Sequence, residues 1–273
     1  MKLPLFIANR YLLAKKSHNL INIITWISIL GISVGAFALI VVLSAFNGLE
    51  QVISTMNNRL APDLQIAPTK GKTVDLATFP LSQLQDIQGV EHVIPTITED
   101  ALFRANDKQH IGQVKGVGVE YQEIERMSEV VFGDADLMLS DGDHDFAVPG
   151  AGVAWYLGIN AYNPYAMVRV YVPKRGNASM MSLENSFNSD VLNVRSVFST
   201  EQEQDEQLVL VPFDWLSELL EYENKANNVE LFVAANTDAN KVKKEVKAAI
   251  GEDFTVKNQQ EQQETLYKII LQR

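Results

Sequence analysis

The chain has no cysteine. That excludes disulfides, thiolate metal sites, cysteine nucleophiles and a lipid-modified N-terminal cysteine. Histidine is nearly as scarce: His18, His92, His110 and His144 lie far apart, without the spacing of a metal site. No acidic residue precedes Glu50, whereas Lys2, Arg10, Lys15 and Lys16 give that stretch +4. The other 19 basic residues stand against 34 acidic ones, so the remainder carries −15. A domain that acidic is repelled by phosphate backbones, and no basic patch with interleaved aromatics offsets it. Nucleic acid is excluded as a partner. No carboxylate is singled out by an apolar setting, and no catalytic constellation emerges, so neither an enzyme nor a cofactor is expected.

What the chain does have is a long uncharged run. From Ser17 to Leu49 no residue carries a full charge at neutral pH, and Ile23–Phe46 is almost wholly apolar. As a helix those 24 residues extend roughly 36 Å, enough to cross a hydrocarbon core of about 30 Å. Within the run, Gly31-Ile32-Ser33-Val34-Gly35 can be read in two ways. G-x-S-x-G places a nucleophilic serine on a strand-to-helix elbow, but nothing here supplies the strand or the turn. G-x-x-x-G, with Ser28 one turn earlier, gives a helix face that another helix can approach closely. Ser28, Gly31 and Gly35 are therefore the candidate helix-packing residues. The apolar core is too long for a cleaved signal peptide, and "VLSAFNG" offers no A-x-A site. All four flanking positive charges precede the run, which predicts a cytoplasmic N-terminus and an exported remainder. Residues 4–16, "PLFIANRYLLAKK", read as an amphipathic helix on the inner leaflet.

Beyond the run, Val52, Ile53, Met56 and Leu60 keep helical spacing until Ala61-Pro62-Asp63 ends the helix. "DLQIAP", "GVEHVIPTITEDALFRA" and "HIGQVKGVGV" read as strands, and "TFPLSQLQDIQ" as a helix capped by Thr78. Near the C-terminus come strand "VELFVAA", helix "DANKVKKEVKAAIG", strand "DFTVKN" and helix "QQEQQETLYKIILQR". Strand-helix-strand units at both ends predict an α+β subdomain built from two separated pieces. Between them lies an insertion of short strands, turns and one helix around "PFDWLSELLEYE". The resulting division is 1–20 cytoplasmic segment, 21–47 transmembrane helix, 48–119 first piece, 120–228 β-rich insertion, and 229–273 second piece with a closing helix. "STEQEQDEQ" reads as a solvated loop.

Two short motifs point to chemistry and fail on spacing. Gly71-Lys72-Thr73 ends like a phosphate loop, but Ile66 occupies the position of the first glycine. Asp141, Asp143 and Asp145 alternate like a calcium loop, yet Phe146 stands where glycine is needed and Gly152 where a bidentate glutamate belongs. No metal site is expected. A third feature is the segment after "MVRVYVP", "KRGNASMMSLENSFNSD", which is long for a hairpin connection. It carries Met180, Met181, Leu183 and Phe187 among polar residues, a composition suited to an adaptable contact surface.

"FIANRYLLAKKSHNLINIITWISILGISVGAFALIVVLSAFNGLE" resembles the N-terminal signature of lipoprotein-releasing ABC permeases of the LolC/LolE type, within the FtsX/MacB-like permeases. "QVKGV" at 113–117, "GVAWYLGI" at 152–159 and "VRVYVP" at 168–173 continue the resemblance. It implies an inner-membrane permease whose large periplasmic domain, between its first two spans, joins a ferredoxin-like (porter-like) subdomain to an inserted β-rich one. It also implies four partners: a second permease subunit, a separate cytoplasmic ATPase, a soluble periplasmic lipoprotein carrier and lipoprotein cargo. In one paralogue a projecting hairpin, the hook, grips the carrier. The 173–193 segment falls at the matching place, which implies carrier binding by Pro173, Arg175, Met180, Met181, Leu183 and Phe187. Its sequence departs from that of the hook. The second to fourth spans and the cytoplasmic coupling helix do not occur before Arg273, so a truncated fragment is expected. Two other functions fit: an efflux-type or cell-division-type permease of the same family, or a single-span anchored periplasmic binding or scaffold protein.

Overall fold

A 37-residue helix, α1 (Asn19–Thr55), carries the apolar run. In the computed structural model, which describes residues 19–55, 60–133, 137–174, 186–200, 203–234 and 237–262, its segment Ile23–Gly48 is long and apolar enough to cross a membrane, and none of it is buried within the protein. Leucine, isoleucine and valine point outward on all sides, as the absence of any polar face requires. Ser33 lies in the middle of this helix, so the strand and turn of a nucleophile elbow are absent there.

From Asn58 onward the chain forms a separate compact unit. It opens with β1 (Leu64–Pro68), the short β2 (Val74–Asp75) and α2 (Leu81–Gln85). Thr78 does not cap α2: its hydroxyl donates to the Asp75 carbonyl, and Pro80 sits at the N-cap. The helix runs for five residues and ends at Asp86. Next come β3 (Val90–Ala105), β4 (Lys108–Val117) and, after a 3-10 turn at Val119–Glu123, α3 (Glu125–Ser128). The middle of the chain supplies β5 (Val131–Gly133), β6 (Phe146–Pro149), α4 (Ala151–Leu157), β7 (Met167–Pro173), β8 (Phe187–Val194) and β9 (Ser196–Phe198). Helix α4 starts at Ala151, one residue before "GVAWYLGI", in a stretch without a helical signal in the sequence. Gly158 ends it in the left-handed region (φ 67), where a side chain is disfavoured. The chain closes with β10 (Leu208–Pro212), α5 (Phe213–Leu219), β11 (Lys225–Ala226), β12 (Asn228–Val233), α6 (Ala239–Ile250) and β13 (Phe254–Asn258). Asp238 caps α6 by accepting from the Asn240 N–H.

One sheet in the order β13-β1-β12-β3-β4-β10-β6-β8-β7 joins nine of these strands. Its first four form an antiparallel ferredoxin-like layer, with α2 and α6 packed on it over Leu64, Ile66, Leu84, Val229, Val242 and Val246. The last six strands close into a barrel because β7 pairs back with β3. The barrel is filled by Ile97, Phe103, Val114, Val168, Val170, Val194 and Val209, all fully buried. Strand β3 belongs to both parts: residues 90–96 pair with β12, and 97–105 with β4. The change of partner therefore falls inside β3, between Thr96 and Ile97. A 16-residue strand of alternating burial can serve two layers because opposite edges carry its two sets of bonds.

The acidic segment 199–207 is not solvated throughout. Asp205 is buried and accepts from the Ser199 and Thr200 hydroxyls at 3.1 and 2.7 Å. A Cβ on Gly150 would meet the Asp205 carbonyl oxygen at 2.4 Å, so the loop packs directly on the start of α4.

Candidate functional site

Strands β7 and β8 form the hairpin that the sequence marked as a contact surface. The ladder runs farther into the connection than expected, because Pro173 pairs with Phe187 and the Lys174 N–H donates to the Ser186 carbonyl. Phe187 is exposed. Arg175, Met180, Met181 and Leu183 lie outside the described residues.

The hairpin's outer face continues across β3 and β4. Inward residues Val168, Val170 and Val172 fill the barrel, so Met167, Arg169, Tyr171 and Pro173 must point away from it. Registers place Gln109, Arg104, Arg169 and Val191 in one outward row across β4, β3, β7 and β8. The adjacent outward row is Ile111, Leu102, Tyr171 and Ser189. Arg104 and Arg169 thus lie directly opposite each other, both exposed, and among the described residues neither makes an ion pair. Like charges in direct register are destabilising relative to a neutral pair. Apolar Ile111, Leu102 and Tyr171 beside the arginines complete a surface of the composition found at interface centres. Sequence reasoning missed Arg104 and Arg169, since 65 residues of chain separate them. The polar-apolar alternation of "VRVYVP" was the available signal. At the other end of β7, Trp155 (75% exposed) and Tyr165 (83%) also face solvent.

On α1, Ser28, Gly31 and Gly35 share one face by their spacing. The Ser28 hydroxyl is satisfied internally by the Ile24 carbonyl at 2.9 Å, and open space surrounds both glycines. The face is smooth and unoccupied within the described residues.

The two rejected motifs are turns. Gly71 sits at φ 85 in an exposed turn that leads into β2 rather than a helix. The Asp141 carboxylate accepts the N–H groups of His144 and Asp143 at 2.8 and 3.0 Å, closing its own loop. The His144 N–H chiefly holds its carboxyl below the ordinary value. Among the described residues no group of three histidines or carboxylates could hold a metal ion.

The beginning and end of the folded unit are tied together. The Gln259 amide donates to Asp63 and to the Ala61 carbonyl at 3.2 and 3.4 Å, and Gln262 donates to the Pro62 carbonyl. Asn258 and Glu261 cap each other reciprocally, each side chain accepting the other's N–H at 3.0 Å. Leu60 is buried beside Ile94, Val117 and Phe232, so the chain enters the fold at a well-packed point.

A family model described as MacB-like periplasmic core domain matches residues 25–249. The lipoprotein-releasing system transmembrane protein LolC of Buchnera aphidicola is 23% identical over 208 residues, covering 76% of this chain and 49% of that protein. LolC of Neisseria meningitidis serogroup B is 29% identical over 174 residues, covering 61% and 40%. The chain therefore spans half or less of the length of these relatives. Among solved structures, the periplasmic region of MacB from Actinobacillus actinomycetemcomitans superposes with a TM-score of 0.50 at 13% identity. The match covers 77% of this chain and 96% of that one, a likeness of fold.

Proposed function

Since the chain belongs to the family of the MacB-like periplasmic core domain, we propose that it is the N-terminal part of an inner-membrane ABC transporter permease that hands lipoproteins to a periplasmic carrier. In this reading the N-terminus is cytoplasmic, a second permease subunit packs on the Ser28/Gly31/Gly35 face, and a separate ATPase works from the cytoplasm. The likeness to LolC proteins supports lipoprotein release over efflux or cell division. One structural observation carries the carrier-binding part: Arg104 on β3 and Arg169 on β7 lie side by side on the outer face of the barrel, without an ion pair among the described residues, bordered by Leu102, Tyr171 and Ile111. An acidic, partly apolar protein surface would relieve the repulsion and cover the apolar row. Pro173 and Phe187 extend that surface toward the hairpin tip.

A pull exerted through the chain preceding Leu60 would be delivered to a buried side chain rather than to a loose tether. ATP-driven movement of the spans would in this way be passed to the folded domain.

The test uses the full-length permease with its second subunit and ATPase in proteoliposomes. Arg169→Glu, which turns mutual repulsion with Arg104 into attraction, is expected to weaken crosslinking to the carrier about 30-fold, the loss typical of a central interface arginine. ATP-dependent release of lipoprotein should fall with it. Carrier crosslinking and release both equal to those of the parent protein would refute the assignment.

A further inference from the structure

Where β3 changes partners, the fold buries charge. Lys115 on β4 and Glu230 on β12 are 7% and 2% exposed, and their charged groups approach to 2.8 Å. Tyr121, fully buried, accepts from the Lys115 ammonium at 2.8 Å and donates a short hydrogen bond to Glu230. Thr96, also fully buried, donates to the same carboxylate. The geometry is diagonal across β3. Lys115 is in register with Thr98 and Glu230 with Ile94, so the ammonium reaches past Thr96 to its partner.

This arrangement joins the two halves of the fold: β4 and the 3-10 turn bring Lys115 and Tyr121, while β12 of the ferredoxin-like layer brings Glu230. Around it lie Leu60, Ile94, Val117 and Phe232, the last meeting the Tyr121 ring edge-on at 5.6 Å. Stability alone does not call for charge in such surroundings, because desolvation consumes most of what a buried ion pair returns. An ion pair differs from apolar packing in direction. Apolar side chains tolerate several relative orientations of barrel and layer, whereas any rotation about β3 strands a buried charge.

We propose that Lys115, Tyr121, Glu230 and Thr96 form an orientation lock, which fixes the angle between barrel and ferredoxin-like layer so that the two move as one body. The lock stands independently of carrier binding. If that reading also holds, the lock keeps the hairpin's arginine face in step with movements that enter at Leu60.

The absence of cysteine permits a direct test on the full chain in nanodiscs. Spin labels are placed at Tyr165→Cys on the barrel and Lys244→Cys on α6, both exposed positions. The distance distribution between them is compared with that in a chain also carrying Lys115→Met, Tyr121→Phe and Glu230→Leu. The expected result is a thermal midpoint equal to or above that of the parent and a distribution at least twice as wide. An unchanged width overturns the lock, whatever the midpoint does. Should the triple variant fail to fold, Lys115→Met with Glu230→Leu, which removes both buried charges and keeps Tyr121, is read the same way: broadening supports the lock, and an unchanged width overturns it.

Discussion

The longest helix and the longest strand obey opposite rules. Helix α1 makes its hydrogen bonds within four residues and buries nothing from Ile23 to Gly48 against the rest of the protein. Strand β3 pairs with β12, β4 and β7, the first and last of them far along the chain, and alternates between core and surface. The helix is stable in lipid because every backbone group is satisfied locally. The strand is stable only after the remote segments have arrived. Disruption should therefore be solvent-dependent in one case and packing-dependent in the other.

The largest effect should come from the strand. Phe103 is fully buried at the centre of the barrel, so Phe103→Ala should cost about 3–5 kcal/mol. Urea unfolding of the detergent-solubilised chain, followed by tryptophan fluorescence, would measure it. A loss below about 1 kcal/mol would mean that the barrel is not a close-packed unit.

In α1, an arginine should act on insertion and leave folding alone. Leu39→Arg lies mid-span and should disfavour insertion by about 3 kcal/mol. The readout is the fraction resisting carbonate extraction, with the urea midpoint of the folded domain unchanged. A fully resistant variant would show that this segment does not meet lipid.

The smallest effect concerns Glu261, where a local cap meets a long-range contact. Its carboxyl is held below the ordinary 4.5, first by the hydrogen bond from Lys243 and then by the Asn258 N–H. A lowered carboxyl favours the folded state above the ordinary value, and this contribution disappears as pH falls through the lowered one. Glu261 is 46% exposed, so solvent screening limits the gain to less than about 1 kcal/mol. Stability of Glu261→Gln should converge with that of the parent in acid and fall slightly below it at neutral pH. A constant gap across the pH range would exclude linkage to this carboxyl.

Much of the fold was legible because its signals are local. The apolar run, the strands flanking α6 and the strand "MVRVYVP" all announce themselves within about a dozen residues. The chain from Phe187 to Phe198 divides at Arg195 into two strands, because β8 stays in the barrel while β9 leaves to pair with β5. Asp205 looked like one more solvated carboxylate in an acidic stretch. Nothing nearby in the sequence shows that Gly150 lets the chain close over it.

By itself, the sequence determined that one segment is apolar enough to cross a bilayer, that an acidic α+β domain follows, and that its residues include no thiol. These properties depend on composition and on periods of two to four residues. Only the tertiary structure decided that β3 serves two layers, that Arg104 faces Arg169, and that Lys115 finds Glu230 across 115 residues of chain. Such pairings are set by strand register, and register depends on how remote apolar faces fit together, which no local stretch of residues specifies.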